Sequence, residues 1–210
     1  SISGGVEVHL TKRIPIGGGL GGGSSNAAFF LLAMVRLYGL KMTQKELIRI
    51  GAQLGSDVPF FISGFQQAIG RGRGERLEGQ ILRRSLWFLI FESREGLSTR
   101  EVYRHYRPLS PKPSLTRVSH DARIASAYLA RGKFEAASEF LINDLTKSAE
   151  ALRPSLKKTQ ETISGFGFGT CHMSGSGPTQ FIVFPSRQKA QKARRQSRRR
   201  GFFPLLCHSF

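Results

Sequence analysis

The stretch IPIGGGLGGGSSNAA, residues 14–28, places six glycines and two adjacent serines in front of a long apolar run. Before it, VEVHL at residues 6–10 alternates apolar and polar side chains with the period of a half-buried β-strand. After it, residues 24–40 read as a helix that is apolar on nearly every side, capped at its start by Ser24 or Ser25. A strand, a glycine-rich turn and a helix in this order predict an anion site, because backbone N–H groups and the helix dipole attract a phosphate.

Two common phosphate-binding loops do not fit this stretch. A Walker A loop ends in Gly-Lys-Ser or Gly-Lys-Thr, and GGGSS has no lysine at that point. Gly17, Gly19 and Gly22 satisfy GxGxxG, but so many glycines in so short a window make that match weak. A dinucleotide site also needs an acidic residue about 20 positions later, where this chain has Lys41 and Met42. The pattern therefore indicates a phosphate ligand and argues against a dinucleotide.

The rest of the first half predicts alternating helices and strands. Thr43 and Glu46 form a capping-box pattern at the start of a second helix, which Gly55 closes. SDVPFFISG predicts a turn into a short strand, GFQQAIGRGRGERL a glycine-rich hairpin, and LWFLIF a further strand. A boundary near residue 92 then divides the chain into an N-terminal domain, residues 1–92, and a C-terminal domain, residues 93–210.

The second half begins with a helix that Ser98 and Glu101 start as another capping pair. Further helices are predicted at residues 119–131, 133–142, 145–151 and 153–164. TCHMSGSGPTQFIVF predicts a strand, a glycine turn and a strand, and the segment 187–200 has a helix-forming composition. Both halves mix helix and strand, so the fold class is α/β (α+β).

Composition bounds the class of protein. A chain of 210 residues with 40% hydrophobic content is globular, and no apolar run is long enough to cross a bilayer. We therefore expect a cytoplasmic protein without a membrane partner, in which the distant Cys171 and Cys207 stay free, buried thiols.

The charge is strongly positive. The net charge is +18, and residues 187–200 contain eight basic residues and no acidic one. Such a balance suits nucleotides, phosphorylated metabolites or nucleic acid without choosing among them.

The glycine-rich stretch resembles the phosphate-binding motif of the GHMP kinases. Three further stretches agree with that family in order: LGSDVPFFISG, STREVY, and NDLTKSAEALRPSLKKT followed by MSGSGPTQFIVF. The doubled glycine triplet is similar to the branch that uses ATP to phosphorylate the 2-hydroxyl of 4-diphosphocytidyl-2-C-methyl-D-erythritol in the non-mevalonate isoprenoid pathway. The resemblance implies a two-domain fold, with a ribosomal S5 domain 2-like N-terminal half, here incomplete, and a ferredoxin-like C-terminal half.

The resemblance also implies residue roles. Asp57 would be the catalytic carboxylate, Ser24 would reach the Mg²⁺ ion, and the hairpin GFQQAIGRGRGERL would be structural. The loop that holds the ATP phosphates would comprise Pro15, Ile16, Gly17, Gly18, Gly19, Leu20, Gly21, Gly22, Gly23, Ser24 and Ser25. The third motif of the family, which packs against that loop and closes the site, would be Ser174, Gly175, Ser176 and Gly177.

One departure from the family concerns the beginning of the chain. Family members begin with a strand whose lysine pairs with the catalytic aspartate, followed by residues that hold the cytidine. Nothing of that kind precedes Ser1, and Lys12 lies too close to the glycines to be that lysine. We therefore expect either a fragment of a longer product or a degenerate member, and we expect this chain alone to bind ATP poorly and to phosphorylate little.

The expected partner is a small molecule, a cytidine diphosphate-linked sugar alcohol, bound by a monomer or a homodimer. Two alternatives are another GHMP small-molecule kinase and an inactive basic relative that binds nucleic acid. We do not expect nucleic acid as a partner, because the basic run 187–200 has no interleaved aromatic residues and falls on the family's last helix.

Overall fold

A computed structural model describes residues 4–82, 84–93, 96–108 and 115–209, without the side chains of residues 115–119. The chain forms two compact units. The first contains residues 4–16 and 21–80, and the second contains residues 17–20 and 81–209. No helix among these residues is long and apolar enough to cross a membrane.

The first unit consists of three helices and a hairpin. Its elements are α1 (Gly22–Leu37), α2 (Gln44–Leu54), α3 (Val58–Ser63), β1 (Ala68–Arg71) and β2 (Arg76–Gly79). The three helices share a core of Ala28, Leu47, Val58 and Ile62. Gly51 permits close packing there, because a Cβ on it would lie 2.6 Å from the Cδ1 atom of Ile62.

Several predicted elements of this unit are confirmed. The Thr43 hydroxyl accepts the N–H of Glu46 while the Glu46 carboxylate accepts the N–H of Thr43 at 2.7 Å, and Gly55 follows the last residue of α2. The hairpin is also present, with Ala68 opposite Gly79 and Arg71 opposite Arg76.

Three predictions for this unit are wrong. Residues 6–10 form no strand and their apolar side chains are exposed, because alternation alone makes no strand without a neighbouring strand to pair with among the described residues. Residues 58–63 form a helix, which Pro59 favours because its fixed φ suits the first helical turn. The apolar composition of α1 on nearly every side does not make it a fully buried helix, since only Ala28 is fully buried and Phe29 is 62% exposed.

The second unit is built on a four-stranded sheet. Its elements are β3 (Trp87–Phe91), α4 (Thr99–His105), α5 (Leu115–Arg131), α6 (Phe134–Ser138), α7 (Thr146–Leu152), α8 (Ser155–Ser164), β4 (His172–Met173), β5 (Gln180–Phe184), α9 (Arg187–Arg199) and β6 (Leu205–His208). The strand order is β4-β5-β3-β6, with every neighbouring pair antiparallel. The mixed helix-and-sheet class predicted from the sequence is confirmed.

Pairing in the sheet places β3 in the second unit. The sequence boundary near residue 92 puts LWFLIF in the first half, whereas Trp87 pairs with Phe184 on one side and His208 on the other. Contacts between strands, rather than nearness along the chain, determine where a strand belongs. The second unit therefore takes up the chain from residue 81 onward, together with residues 17–20.

The core of the second unit lies between the sheet and its helices. α9 covers it with the buried residues Ala190, Ala193 and Ser197. Cys171 is 1% exposed, and burial raises the pKa of its thiol to about 12. Cys207 is half-buried, and both cysteines are free thiols as predicted.

Candidate functional site

The start of α1 is shaped by a glycine. Gly21 occupies the N-cap position in the left-handed conformation, with φ +66°, and no side chain caps the helix. Its carbonyl accepts the N–H of Ser25 at 2.9 Å. The first N–H groups of a helix have no partner within the helix, so this end attracts an anion.

The prediction that Ser24 or Ser25 caps α1 is wrong. The helix already begins at Gly22, so both serines lie inside its first turn. The reason is that Gly21 can adopt a positive φ and turn the chain earlier than a serine cap would. Ser25 donates its hydroxyl to the carbonyl of Gly22 at 3.0 Å.

Asp57 is the N-cap residue of α3, at the N-terminal end of that helix, and its side chain is exposed. Its carboxylate does not cap that helix, and it makes no hydrogen bond or ion pair with any residue that the structure describes. A Cβ on Gly74, at the turn of the β1–β2 hairpin, would lie 4.0 Å from Asp57 Oδ1 and 3.2 Å from the carbonyl of Ser56. A residue without a side chain at 74 therefore lets the hairpin lie against the turn that carries Asp57.

The same turn also lies beside the first turn of α1. A Cβ on Gly55 would be 4.0 Å from the hydroxyl oxygen of Ser24. Within the first unit, the free carboxylate of Asp57 and the uncapped start of α1 thus lie on neighbouring segments.

The hairpin turn holds its own carboxylate. Glu75 accepts the N–H of Arg73 at 2.7 Å, and backbone donors of Glu75 and Arg73 hold the pKa of Glu75 below its usual value. This side chain shapes the turn, which agrees with the structural role expected of the hairpin.

In the second unit, residues 17–20 pack against the turn between β4 and β5. Ser174 donates its hydroxyl to the carbonyl of Gly19 at 2.8 Å. Gly19 has φ +72°, and a Cβ on it would overlap the carbonyl oxygen of Ser174 and lie 3.0 Å from that of Gly177. The loop and the turn therefore fit together only because position 19 carries no side chain.

The sequence argument missed the side chains that hold this turn. Asn143 donates its amide to the carbonyls of Met173, at 3.0 Å, and Gly175, at 2.8 Å. The side-chain oxygen Oδ1 of Asn143 accepts the N–H of Leu145 at 3.0 Å. The hydroxyls of Thr99 and Ser176 also share a hydrogen bond of 2.9 Å.

No sequence signal specifies these contacts. Asn143 stands in the quoted stretch NDLT, but its partners lie some thirty residues further along the chain.

The two units divide the sequence-predicted residues between them. In the first unit lie Pro15, Ile16, Gly21, Gly22, Gly23, Ser24, Ser25 and Asp57, and in the second lie Gly17, Gly18, Gly19, Leu20, Ser174, Gly175, Ser176 and Gly177. Ile16 is 78% exposed, whereas Gly18 is buried. In the described ranges, no cluster of three or more His, Cys, Asp or Glu side chains could hold a metal ion.

Comparison with known proteins extends over nearly the whole chain. The family model of the GHMP kinases N terminal domain matches residues 1–65, and that of the GHMP kinases C terminal matches residues 126–201. A 4-diphosphocytidyl-2-C-methyl-D-erythritol kinase of a Nocardioides species is 40% identical over 88% of this chain and 61% of its own length. The enzyme of that name from Syntrophus aciditrophicus is 34% identical over 97% of this chain and 69% of its own.

Solved structures agree. A crystal structure of 4-(cytidine 5'-diphospho)-2C-methyl-D-erythritol kinase is 33% identical, with a TM-score of 0.73 over 94% of this chain and 68% of the other. A homoserine kinase from Cytophaga hutchinsonii shares the fold, with a TM-score of 0.71 over 95% of this chain and 68% of its own at 18% identity. The chain thus spans roughly three-fifths to two-thirds of the length of these relatives. With matching models in both halves and a relative at 34% identity over two-thirds of its length, the chain belongs to the GHMP kinase family.

Proposed function

We propose that this protein transfers a phosphoryl group from ATP to the 2-hydroxyl of 4-diphosphocytidyl-2-C-methyl-D-erythritol. The relatives that match it at 33–42% identity carry the name of that kinase. The observation that carries the proposal is the exposed carboxylate of Asp57, which has no bonding partner in the described part of the chain and lies two residues after Gly55, beside Ser24 of α1. An acceptor for a hydroxyl proton and a site for phosphate are the two elements that such a transfer needs.

The start of α1 would bind the nucleotide through its phosphates. Gly22 and Gly23 have no side chains, so backbone N–H groups can approach phosphate oxygens closely. A Cβ on Gly23 would meet nothing within 4 Å, so this part of the helix start is open. Within the second unit, Ser174 holds the carbonyl of Gly19, and Asn143 holds the turn that contains Ser174.

Asp57 would accept the proton of the substrate hydroxyl as that oxygen attacks the terminal phosphate of ATP. An exposed carboxylate with no competing partner has free oxygen lone pairs for that hydrogen bond. In phosphoryl transfer, positioning and charge stabilisation supply most of the rate, so a single well-placed carboxylate is sufficient side-chain chemistry.

Mg²⁺ fits this donor set. The hydroxyl of Ser24 would hold the ion together with phosphate oxygens, and Mg²⁺ in such sites needs only one or two protein ligands. When bound, it neutralises negative charge on the β- and γ-phosphates.

Replacement of Asp57 tests the proposal. In a coupled assay of ADP release with the cytidyl substrate, run at a protein concentration high enough to measure the low turnover expected of this chain, Asp57→Asn should lower kcat by about 10²- to 10⁴-fold. Affinity for a fluorescent ATP analogue should stay the same, because the amide keeps the shape of the side chain and lies outside the phosphate site. Glu92→Gln, which removes an exposed carboxylate from the second unit, is the matched control and should keep the wild-type rate.

Two outcomes would contradict this assignment. Full turnover by Asp57→Asn would remove the carboxylate from the mechanism. Faster phosphorylation of homoserine or mevalonate than of the cytidyl alcohol would keep the kinase but replace its substrate.

A further inference from the structure

The outer side of α9 is a continuous basic surface that the proposed kinase chemistry does not use. We call it the α9 basic face, and it consists of the exposed residues Arg187, Lys189, Lys192, Arg195, Arg198, Arg199 and Arg200. The opposite side of the helix, Ala190, Ala193 and Ser197, is buried against the sheet and fixes which side faces solvent. The helix carries no acidic residue, and none of these cations forms an ion pair within the described part of the chain. Repulsion among these cations favours an anionic ligand on this face.

An open groove of about 1050 Å³ runs beside this face. Lys189, Lys192 and Gln196 of α9 line one side of it. Phe166 and Phe168, from the loop between α8 and β4, also line it. The guanidinium of Arg200 lies 4.6 Å from the centre of the Phe166 ring. The aromatic side chains that the basic run lacks in sequence are therefore supplied by another part of the fold.

We infer that the α9 basic face and this groove bind single-stranded nucleic acid. Lys and Arg side chains would contact successive backbone phosphates, and bases would stack against the phenyl rings. Proteins that bind single strands without sequence preference combine these two features, a cationic track and aromatic platforms. At 1.5 Å per residue, a helix of 13 residues is about 20 Å long, which suits a run of phosphates better than one phosphorylated metabolite.

The same observations argue against a lipid surface. A helix that binds in the membrane interface inserts an apolar face between headgroups. The apolar side of α9 consists of small residues already buried in its own unit. Phe166 and Phe168 are half-buried in the lining of the groove, with ring centres 5.7 Å apart, so neither is a protruding membrane anchor.

Fluorescence anisotropy with a fluorescein-labelled oligouridine RNA, measured over a series of salt concentrations, tests the inference. The logarithm of the association constant falls linearly with the logarithm of the salt concentration. For a single strand, each lost phosphate contact makes this line shallower by about 0.7. The double variant Lys189→Gln/Lys192→Gln should therefore flatten the slope by about 1.4. Lys41→Gln/Lys45→Gln removes the same charge from exposed positions of the first unit and should leave the slope unchanged.

A second variant tests the stacking. Phe168→Leu keeps apolar volume against the core but removes the ring, and should weaken binding at least about fivefold. Thermal unfolding followed by circular dichroism checks that Lys189→Gln/Lys192→Gln and Phe168→Leu keep the wild-type fold.

Three results would overturn the inference. The first is no binding near physiological salt, and the second is an equal change of slope in the Lys41/Lys45 control. The third is binding of the wild type to phosphatidylserine vesicles but not to RNA, which would assign the face to an anionic membrane.

Discussion

The sharpest consequence of the glycine loop concerns Gly19. Its φ of +72° lies in the left-handed region, and a Cβ there would overlap the Ser174 carbonyl oxygen. Two further backbone atoms, the carbonyl oxygen and the nitrogen of Gly177, would lie 3.0 and 3.1 Å away. None of these atoms belongs to a flexible side chain that could move aside. Gly19→Ala should therefore separate the loop from the turn between β4 and β5.

The expected loss of stability has two parts. Holding alanine at a left-handed φ costs roughly 1–2 kcal/mol. Forcing a methyl group into occupied space costs typically another 1–3 kcal/mol. Gly167→Ala isolates the first part, because Gly167 lies in the same unit with φ +71° and nothing within 4 Å of its Cβ position. We expect unfolding free energy to fall by about 2–5 kcal/mol for Gly19→Ala and by about 1–2 kcal/mol for Gly167→Ala.

The chain provides its own probe for this experiment. Trp87, its one tryptophan, lies on β3 in the unit that contains Gly19. Urea denaturation followed by Trp87 fluorescence thus reports the unfolding of that unit. Equal losses in Gly19→Ala and Gly167→Ala would show that the loop moves away freely, and would refute the reasoning from the clash. A loss near zero in both would refute the strain argument as well.

Two further predictions concern the second unit. Asn143→Asp keeps the shape of the side chain but turns two donors into acceptors that face the carbonyls of Met173 and Gly175. In the same fluorescence assay, the unfolding free energy should therefore fall by about 2–3 kcal/mol. Unchanged stability would contradict a positioning role for Asn143. Burial lowers the pKa of His172 below 6.5, so the unfolded chain takes up a proton at this histidine more readily than the folded protein does. The stability that neutral His172 contributes is therefore complete above pH 6.5 and is lost as the pH falls through the lowered pKa. Unfolding free energy measured from pH 7 to pH 5 should decline, and less steeply in His172→Gln than in the wild type; an equal decline in both would contradict this role of His172.

Local signals predicted much of the fold correctly. The capping box at Thr43 depends on residues three apart, and the hairpin of β1 and β2 depends on glycines within one turn. Such contacts are close along the chain, so a sequence pattern records both partners. Residues 6–10 show the limit, since their alternation fits a strand but says nothing about what they would pair with.

The candidate site was predictable to a similar extent. The glycine stretch and the segment around Asp57 stood out by residue type, and both lie within residues 1–65, which the N-terminal family model matches. The true helix start at Gly22 and the contacts of Asn143 did not stand out. The first depends on a backbone angle that only glycine adopts easily, and the second joins segments that the fold alone brings together.

The position of β3 in its sheet has a consequence for biosynthesis. β3 lies between β5 and β6, which are both made much later, and the N–H of Leu86 just before it bonds to Ser209, 123 residues further along. At the usual 5–20 residues per second, a ribosome needs roughly 6–25 s to complete that distance. For most of this interval the apolar segment WFLIF has neither of its neighbouring strands, which makes it a natural contact for chaperones that hold nascent chains. Folding of the second unit thus waits for the synthesis of β6, while the helices of the first unit can pack well before it.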